Sequence, residues 1–318
     1  MTLDLIAVGD SVVDIVIPIS RFLRGNEDSL HSDGMERHMG GSSNYLIMAR
    51  RLGLRVGVVD CIGDDDLGNF YRAGLEAEGV DISNLIIRIG GKTSGCLVLL
   101  TKRGKHAYVG LEGVSRTLTA YELDEDYVTN ARALFLSGYP LAETPISQAV
   151  MKAMRAVSVA GRLVFFDPSP VVDLISADIL REALNATDTL ILNEREMGLI
   201  TSKFEVESKP ESLLSLGAGR VVLKRGAEGC SFYTTSRIEN YPGFRVKVID
   251  TTGAGDSFDA AIVYGTLRGW PQSDTATLAN AVGAIKVGKK AAGRNVPTLG
   301  EIKGFLEERD LSLASRLS

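Results

Sequence analysis

The sequence predicts an α/β fold: a central, mostly parallel β-sheet covered by helices on both faces, with a small β-sheet lid attached. Two observations carry this. Along most of the 318 residues, short apolar runs alternate with stretches of helical period, the pattern of a parallel sheet buried on both sides. Two stretches, about 12–39 and 90–112, break the rhythm, and the second has the pattern of a hairpin. Strands inserted this way into a single domain over 1–318 form an accessory sheet rather than a second independent unit.

Each element follows from its residues. Leu5 to Val8 is an apolar run stopped by Gly9, a buried strand, and Val12 to Ile19 continues extended after a turn. Ser42 or Ser43 is placed to cap a helix with Tyr45, Met48, Ala49 and Leu52 at helical spacing; Gly53 ends it. Val56 to Asp60 is the next strand, and Gly63-Asp64-Asp65-Asp66 leads into a helix carrying Phe70 and Leu75. Arg21 to Met39 is polar and without helical period. Cys96 to Leu100 and His106 to Val109 flank a polar turn around Gly104, a β-hairpin whose tip carries Lys102, Arg103 and Lys105. Ala133–Leu136, Leu163–Phe166, Thr189–Leu192 and Val221–Leu223 are further buried strands. Val246 to Ile249 reads as a strand entering a glycine-rich turn. Helices are expected at Gly253–Leu267, Ser273–Lys290 and Leu299–Leu306, and the tail from about Asp310 has no clear role and is expected to fray.

Composition removes several function classes. A net charge of −5 gives no footprint for a nucleic-acid backbone. Cys61, Cys96 and Cys230 lie far apart with no C-x-x-C pair, and His31, His38 and His106 have no metal-ligand spacing. No apolar run is long enough to span a bilayer, and no basic leader precedes the first strand, so a cytoplasmic protein without nucleic-acid or membrane partners is expected. Gly91-Lys92-Thr93 ends like a Walker loop, but Ile86 stands where its first glycine is required; Gly9 is followed by Asp10-Ser11, not by G-x-G-x-x-G.

The segment Asp250-Thr251-Thr252-Gly253-Ala254-Gly255-Asp256-Ser257-Phe258 opens a helix with small residues. Exposed backbone N–H groups and the helix dipole there suit a phosphate. An aspartate facing phosphate is poor electrostatics but a sensible base for an attacking hydroxyl. The same residue could equally be a helix cap.

This segment resembles the C-terminal signature of the PfkB carbohydrate kinase family, the ribokinase-like sugar and nucleoside kinases. Gly40-Gly41-Ser42-Ser43-Asn44, Arg51-Leu52-Gly53 and Cys61-Ile62-Gly63-Asp64-Asp65 with Gly68 are similar to its N-terminal signature. Gly9 to Asp14, Asn193-Glu194-Arg195-Glu196 and Lys224 to Gly229 resemble three further family segments, in order along nearly the whole chain. The resemblance implies a ribokinase-like three-layer sandwich and an ATP- and Mg²⁺-dependent kinase acting on a sugar or polyol. The alternatives are a nucleoside kinase of the same fold and a non-catalytic sugar-binding protein.

Residue by residue, it implies Asp256 as base and Gly253, Ala254 and Gly255 as anion hole. Asp14, Gly40, Gly41 and Asn44 would bind the acceptor. Asn193 and Glu196 would organise water-bound Mg²⁺; their bland reading is a helix cap. Lys224, Gly226, Gly229, Thr252 and Asn280 would border the nucleotide. Asp250 is a candidate K⁺ ligand, beside the Gly293–Pro297 loop. Val12 stands where some relatives carry asparagine, which turns the reading from ribose toward fructokinase-like acceptors. No arginine lies between Asp167 and Leu180, which weakens a carboxylate-bearing acceptor. The lid is expected to pair two subunits as a homodimer.

Overall fold

The computed structural model describes residues 2–25, 29–101, 105–309 and 312–317. Gly104 with Lys102 and Arg103, and Asp310 at the start of the tail, lie outside the described residues.

Nine strands form the main sheet: β1 (Leu5–Val8), β4 (Val56–Gly63), β5 (Asp81–Arg88), β8 (Ala133–Ser137), β9 (Leu163–Asp167), β10 (Thr189–Asn193), β11 (Val221–Lys224), β12 (Cys230–Tyr233) and β13 (Ile238–Tyr241). Their order is β13-β12-β11-β10-β9-β8-β1-β4-β5. All pair in parallel except β12 and β13, which turn back as a hairpin. Alternation along each strand splits the core. Leu5, Ala7, Phe135, Phe165, Ile191 and Val222 face one side, with helices α1 (Ser42–Arg51), α2 (Asp66–Ala77), α8 (Ala254–Leu267), α9 (Gln272–Val287) and α10 (Leu299–Glu307). Ile6, Val8, Leu134, Phe166, Leu192 and Val221 face the other, with α3 (Glu125–Thr129), α4 (Ile146–Val159), α5 (Ala177–Asn185), α6 (Glu194–Lys203) and α7 (Pro210–Ser215). Two cores on one sheet make the three-layer sandwich.

A second, four-stranded sheet has the order β3-β2-β6-β7, from β2 (Ser11–Ile19), β3 (Glu36–Gly41), β6 (Gly95–Thr101) and β7 (His106–Leu111). It gathers both interrupting stretches. Cross-strand partners share a face, so register fixes its sidedness. Asp14 pairs with Cys96 and Val98 with Tyr108, while Ile15 pairs with Leu97 and Leu97 with Val109. Cys96, Val98 and Leu100 therefore lie on the Asp14 face, and Leu97 and Leu99 on the opposite one.

Four expectations need correction. Ser42 and Ser43 do not cap α1; its N-cap is Gly41, and Ser43 Oγ donates back to the Gly40 carbonyl at 2.8 Å. Val246–Ile249 is no strand: the segment pairs with no sheet, and Ile249 N–H donates to Val287 O at the end of α9. The end of Arg21–Met39 is not irregular but contributes to β3. The tail does not simply fray, because Leu313, Ala314 and Leu317 are buried in the core, and Arg316 stacks over Trp270 and pairs with Asp274. Strands β5, β12 and β13 have no counterpart in the sequence reading. Among the described residues no helix is long and apolar enough to cross a membrane.

Candidate active site

The parallel strands end on one edge of the sheet, and their last residues converge there. Asp10 follows β1, Ser137 ends β8, Asp167 ends β9, Asn193 ends β10 and Lys224 ends β11. The chain leaves β1 toward β4 on one side and returns at β8 on the other, so β1 and β8 flank the switch point where α/β sheets open a crevice. Ser137 Oγ donates to Asp10 Oδ2 across that gap at 2.9 Å.

At the opening of α8, Gly253 is the N-cap, with φ 73° in the left-handed region that glycine tolerates. Ala254 N–H already donates to Thr251 O at 3.1 Å. The N–H groups of Gly253, Gly255 and Asp256 have no protein acceptor among the described residues, as expected of a helix start free to hold an anion. Of these groups only the Ala254 N–H already has a backbone acceptor among the described residues.

Asp256 lies in this first turn, partly buried. Its Oδ2 accepts from Asn44 Nδ2 at 2.8 Å, and Asn44 Oδ1 accepts from Gly293 N–H at 2.8 Å. Burial raises the Asp256 pKa to about 6; the Asn44 bond pulls the other way, and nearby Asp167 adds to the rise. Asn44 is therefore largely committed to Asp256 and the 288–295 loop, with one amide hydrogen left over.

The Gly40-Gly41 pair keeps two carboxylates in place. A Cβ on Gly40 would come within 2.7 Å of the Asp14 carboxylate, and one on Gly41 within 1.9 Å of the Asp10 carbonyl. Burial lifts Asp14 to about 7 and Asp10 to about 8, with the Asp256 charge adding to both. Asp60, buried in the middle of β4, holds this loop by accepting from Ser11 N–H at 2.7 Å and from Ser115 Oγ at 2.9 Å. Asp10 and Asp60 escaped the sequence reading, although an acid inside the apolar run Val56–Ile62 is itself a signal.

On the other side of Asp256, Lys224 Nζ bonds Asp167 at 2.6 Å and wholly buried Asp259 at 3.3 Å. Burial opposes the charge on Lys224, but Asp167 and then Asp259 hold its pKa above the ordinary value. Burial would raise Asp167; the Lys224 charge overrides this and holds it low. A Cβ on Gly255 would lie 3.4 Å from Lys224 Nζ, so this ammonium lies beside the first turn of α8.

Two cavities meet at Lys224 and Ala227. One, about 270 Å³, is lined by Phe244, Val246, Val248, Phe258, Ala284 and Val287, and also by Gly226, Gly229 and Asn280. Asn280 is buried rather than solvent-facing and donates to the Pro242 carbonyl at 3.0 Å. The other, about 560 Å³ and polar, is lined by Asn193, Glu194, Arg195, Lys224 and Arg225. Gly226 faces open space, whereas a Cβ on Gly229 would strike the Tyr241 carbonyl at 2.1 Å. Gly229 is thus required by the β12–β13 backbone as well as bordering the cavity.

Asn193 and Glu196 form a capping box: each side chain accepts from the other's backbone N–H, at 3.0 and 2.8 Å. Glu196 is buried, and burial followed by the Asp167 charge raises its pKa. Thr252 donates through N–H and Oγ1 to Asp250, whose other oxygen accepts from Ala291 N–H at 2.8 Å. Among the described residues no cluster of three or more acidic, histidine or cysteine side chains is set to hold a metal.

The profile of the pfkB family carbohydrate kinases matches residues 2–299. An ATP-dependent ribose-1-phosphate kinase of Halopiger xanaduensis is 31% identical, over 93% of this chain and 95% of its own. A 5-dehydro-2-deoxygluconokinase of Clostridium perfringens is 28% identical, over 92% and 93%. Among solved structures, an E. coli protein assigned as a ribokinase II, in complex with ATP and Mg²⁺, superimposes with a TM-score of 0.83 at 24% identity, covering 96% of this chain and 99% of that one.

Proposed function

The chain belongs to the pfkB family of carbohydrate kinases, and on that premise we propose how its site performs an ATP-dependent phosphoryl transfer to a hydroxyl of a small sugar or polyol. The observation that carries the assignment is the place of Asp256: at the first turn of α8, held by Asn44 at 2.8 Å and near enough to Asp10, Asp14 and Lys224 for their charges to act on one another. Asp256 takes the proton of the acceptor hydroxyl as its oxygen bonds the γ-phosphorus and the bond to the β-phosphate oxygen breaks, releasing ADP. Gly253 and Gly255 N–H groups stabilise the charge on the transferring group. Asn44 orients the base.

The apolar cavity at Phe244, Val248 and Ala284 suits the adenine ring, and Asn280 also lines it. The polar cavity suits the phosphates. Mg²⁺ neutralises phosphate charge when bound with the nucleotide. The capping box leaves one Glu196 oxygen, which would accept from metal-bound water, and the Asn193 amide nitrogen, which would donate to a phosphate oxygen. For K⁺, the Asp250 carboxylate is already engaged by Thr252 and Ala291.

The acceptor is an uncharged polyol or sugar. Asp10 and Asp14 donate to hydroxyls when protonated and accept from them when ionised, and the share of Asp14 ionised near neutral pH disfavours an anionic acceptor. That sets this site apart from what the named relatives act on, a sugar phosphate and a sugar acid. The lid pairs two copies of the chain, and the free cysteines fit a cytoplasmic setting. Turnover of ATP·Mg²⁺ against hexoses, pentoses, inositols, nucleosides, sugar acids and sugar phosphates tests the assignment. Turnover confined to neutral sugars or polyols supports it; turnover confined to nucleosides or to anionic acceptors overturns the acceptor reading, and no turnover overturns the kinase itself.

A further inference from the structure

Lys286, in the last turn of α9, is completely buried. A buried ammonium carries three donors that need partners. Here the protein supplies one acceptor among the described residues, the Lys289 carbonyl at 3.3 Å. Its neighbourhood is the anion hole: a Cβ built on Gly253 would stand 3.7 Å from Lys286 Cε. Burial lowers the Lys286 pKa; of the charges that face it, Asp250 and Asp256 favour the ammonium and Lys289 opposes it. Neither carboxylate bonds it directly. Asp250 is occupied by Thr252 and Ala291, and Asp256 accepts from Asn44. The cost of burying this charge is therefore not met by an ion pair of ideal geometry, and an anion at the Gly253–Gly255 turn would complete its coordination.

Resting on the kinase reading above, we propose that Lys286 supplies the fixed positive charge beneath the anion hole, where a monovalent metal ion would otherwise be needed, so that this enzyme binds and transfers the γ-phosphoryl group without K⁺. Lys286 is a positioning residue. It acts on the phosphoryl group through the Gly253–Gly255 turn, and the loop that walls it in is fixed by two bonds already described, Ala291 to Asp250 and Gly293 to Asn44.

The test is a calorimetric titration with ADP·Mg²⁺ and with AMP-PNP·Mg²⁺, which needs no acceptor. Each is run in tetramethylammonium chloride and in KCl at equal ionic strength. In the wild type, AMP-PNP binds more tightly than ADP, and the ratio agrees within about twofold between the two salts. Lys286→Met keeps the volume and loses the charge, and lowers the ratio by about tenfold or more. Lys286→Ala opens room for a cation and regains part of the ratio in KCl or NH₄Cl. Thermal unfolding identifies a variant that has failed to fold, in which case the wild-type salt comparison decides alone. A wild-type ratio of one, a ratio that rises severalfold with KCl, or a folded Lys286→Met variant with the wild-type ratio overturns the proposal. Wild type that binds neither nucleotide overturns instead the kinase reading on which it rests.

Discussion

Asn44 Nδ2 donates to Asp256 Oδ2 at 2.8 Å across 212 residues of sequence, and through its Oδ1 the same amide holds Gly293. One side chain from α1 thus fixes both the proposed base and the loop that closes behind it. Asp256→Asn removes the base and lowers kcat by about 10² to 10⁴, with ATP affinity little changed. Asn44→Ala leaves the carboxylate but frees its orientation, and the loss in kcat is smaller, on the order of tenfold to a hundredfold. Near-normal kcat in folded Asp256→Asn would sink the assignment.

The pH profile follows from the base. Burial puts the Asp256 pKa at about 6, and only the ionised form accepts a proton. The rate kcat/KM should rise with pH through about 6 and level above it. Asn44→Ala removes a bond that favours the ionised form, so its acid limb should move to higher pH. A wild-type profile flat from pH 5 to 7 would contradict this.

Asp10 links pH to stability as well. Its folded pKa is raised by burial to about 8 from the ordinary 3.8. Between those values the folded state holds the proton more firmly than the unfolded chain, so this group's contribution is full below about pH 4 and is lost as pH rises through 8. Asp10→Asn should therefore gain most in Tm over wild type near pH 8 and least near pH 5. A Tm difference independent of pH would mean that Asp10 is ionised in the fold.

Lys224 bonds two buried acids: Asp167, which its charge holds ionised, and Asp259, whose pKa burial pushes well above the ordinary value despite Lys224. Lys224→Met should destabilise the protein by roughly 3–5 kcal/mol, because Asp167 loses its cation. Asp259→Asn leaves the stronger Lys224–Asp167 bond and should cost clearly less. Denaturant unfolding of both variants reads the order directly, and the reverse order would show that Asp259 carries the pair.

The lid's second face carries Leu97 and Leu99 with exposed Val109 and Leu111. Covering it with a twin lid removes apolar area from water at roughly 25 cal/mol per Å². Sedimentation at micromolar concentration should show a dimer, and Val109→Glu or Leu97→Glu should shift it toward monomer. Cys96→Ser, on the Asp14 face, should leave the association unchanged. A wild-type monomer would remove the pairing.

Legibility in the sequence tracked burial. Strands such as Leu163–Phe166 and Thr189–Leu192 were readable because both their faces are covered, which makes them continuous apolar runs. Asp81–Arg88 at one edge and the β12–β13 hairpin at the other are partly exposed, and their mixed composition hid them. Val246–Ile249 misled for the converse reason: its valines line the apolar cavity, and apolar lining looks like a strand when only composition is seen.

The sequence by itself determined the layered α/β architecture, the order of the motifs and the helix start at Gly253–Asp256, because these depend on local period and on small residues at fixed spacing. The tertiary structure alone decided what each polar side chain does. Asn44 is tied to Asp256, Asp250 and Thr252 to each other and to the 288–295 loop, Asn193 and Glu196 to one helix start, and Lys286 lies against Gly253. A hydrogen bond or a buried charge is set by atoms brought within about 3 Å by folding, and a distance across 212 residues leaves no trace in local pattern.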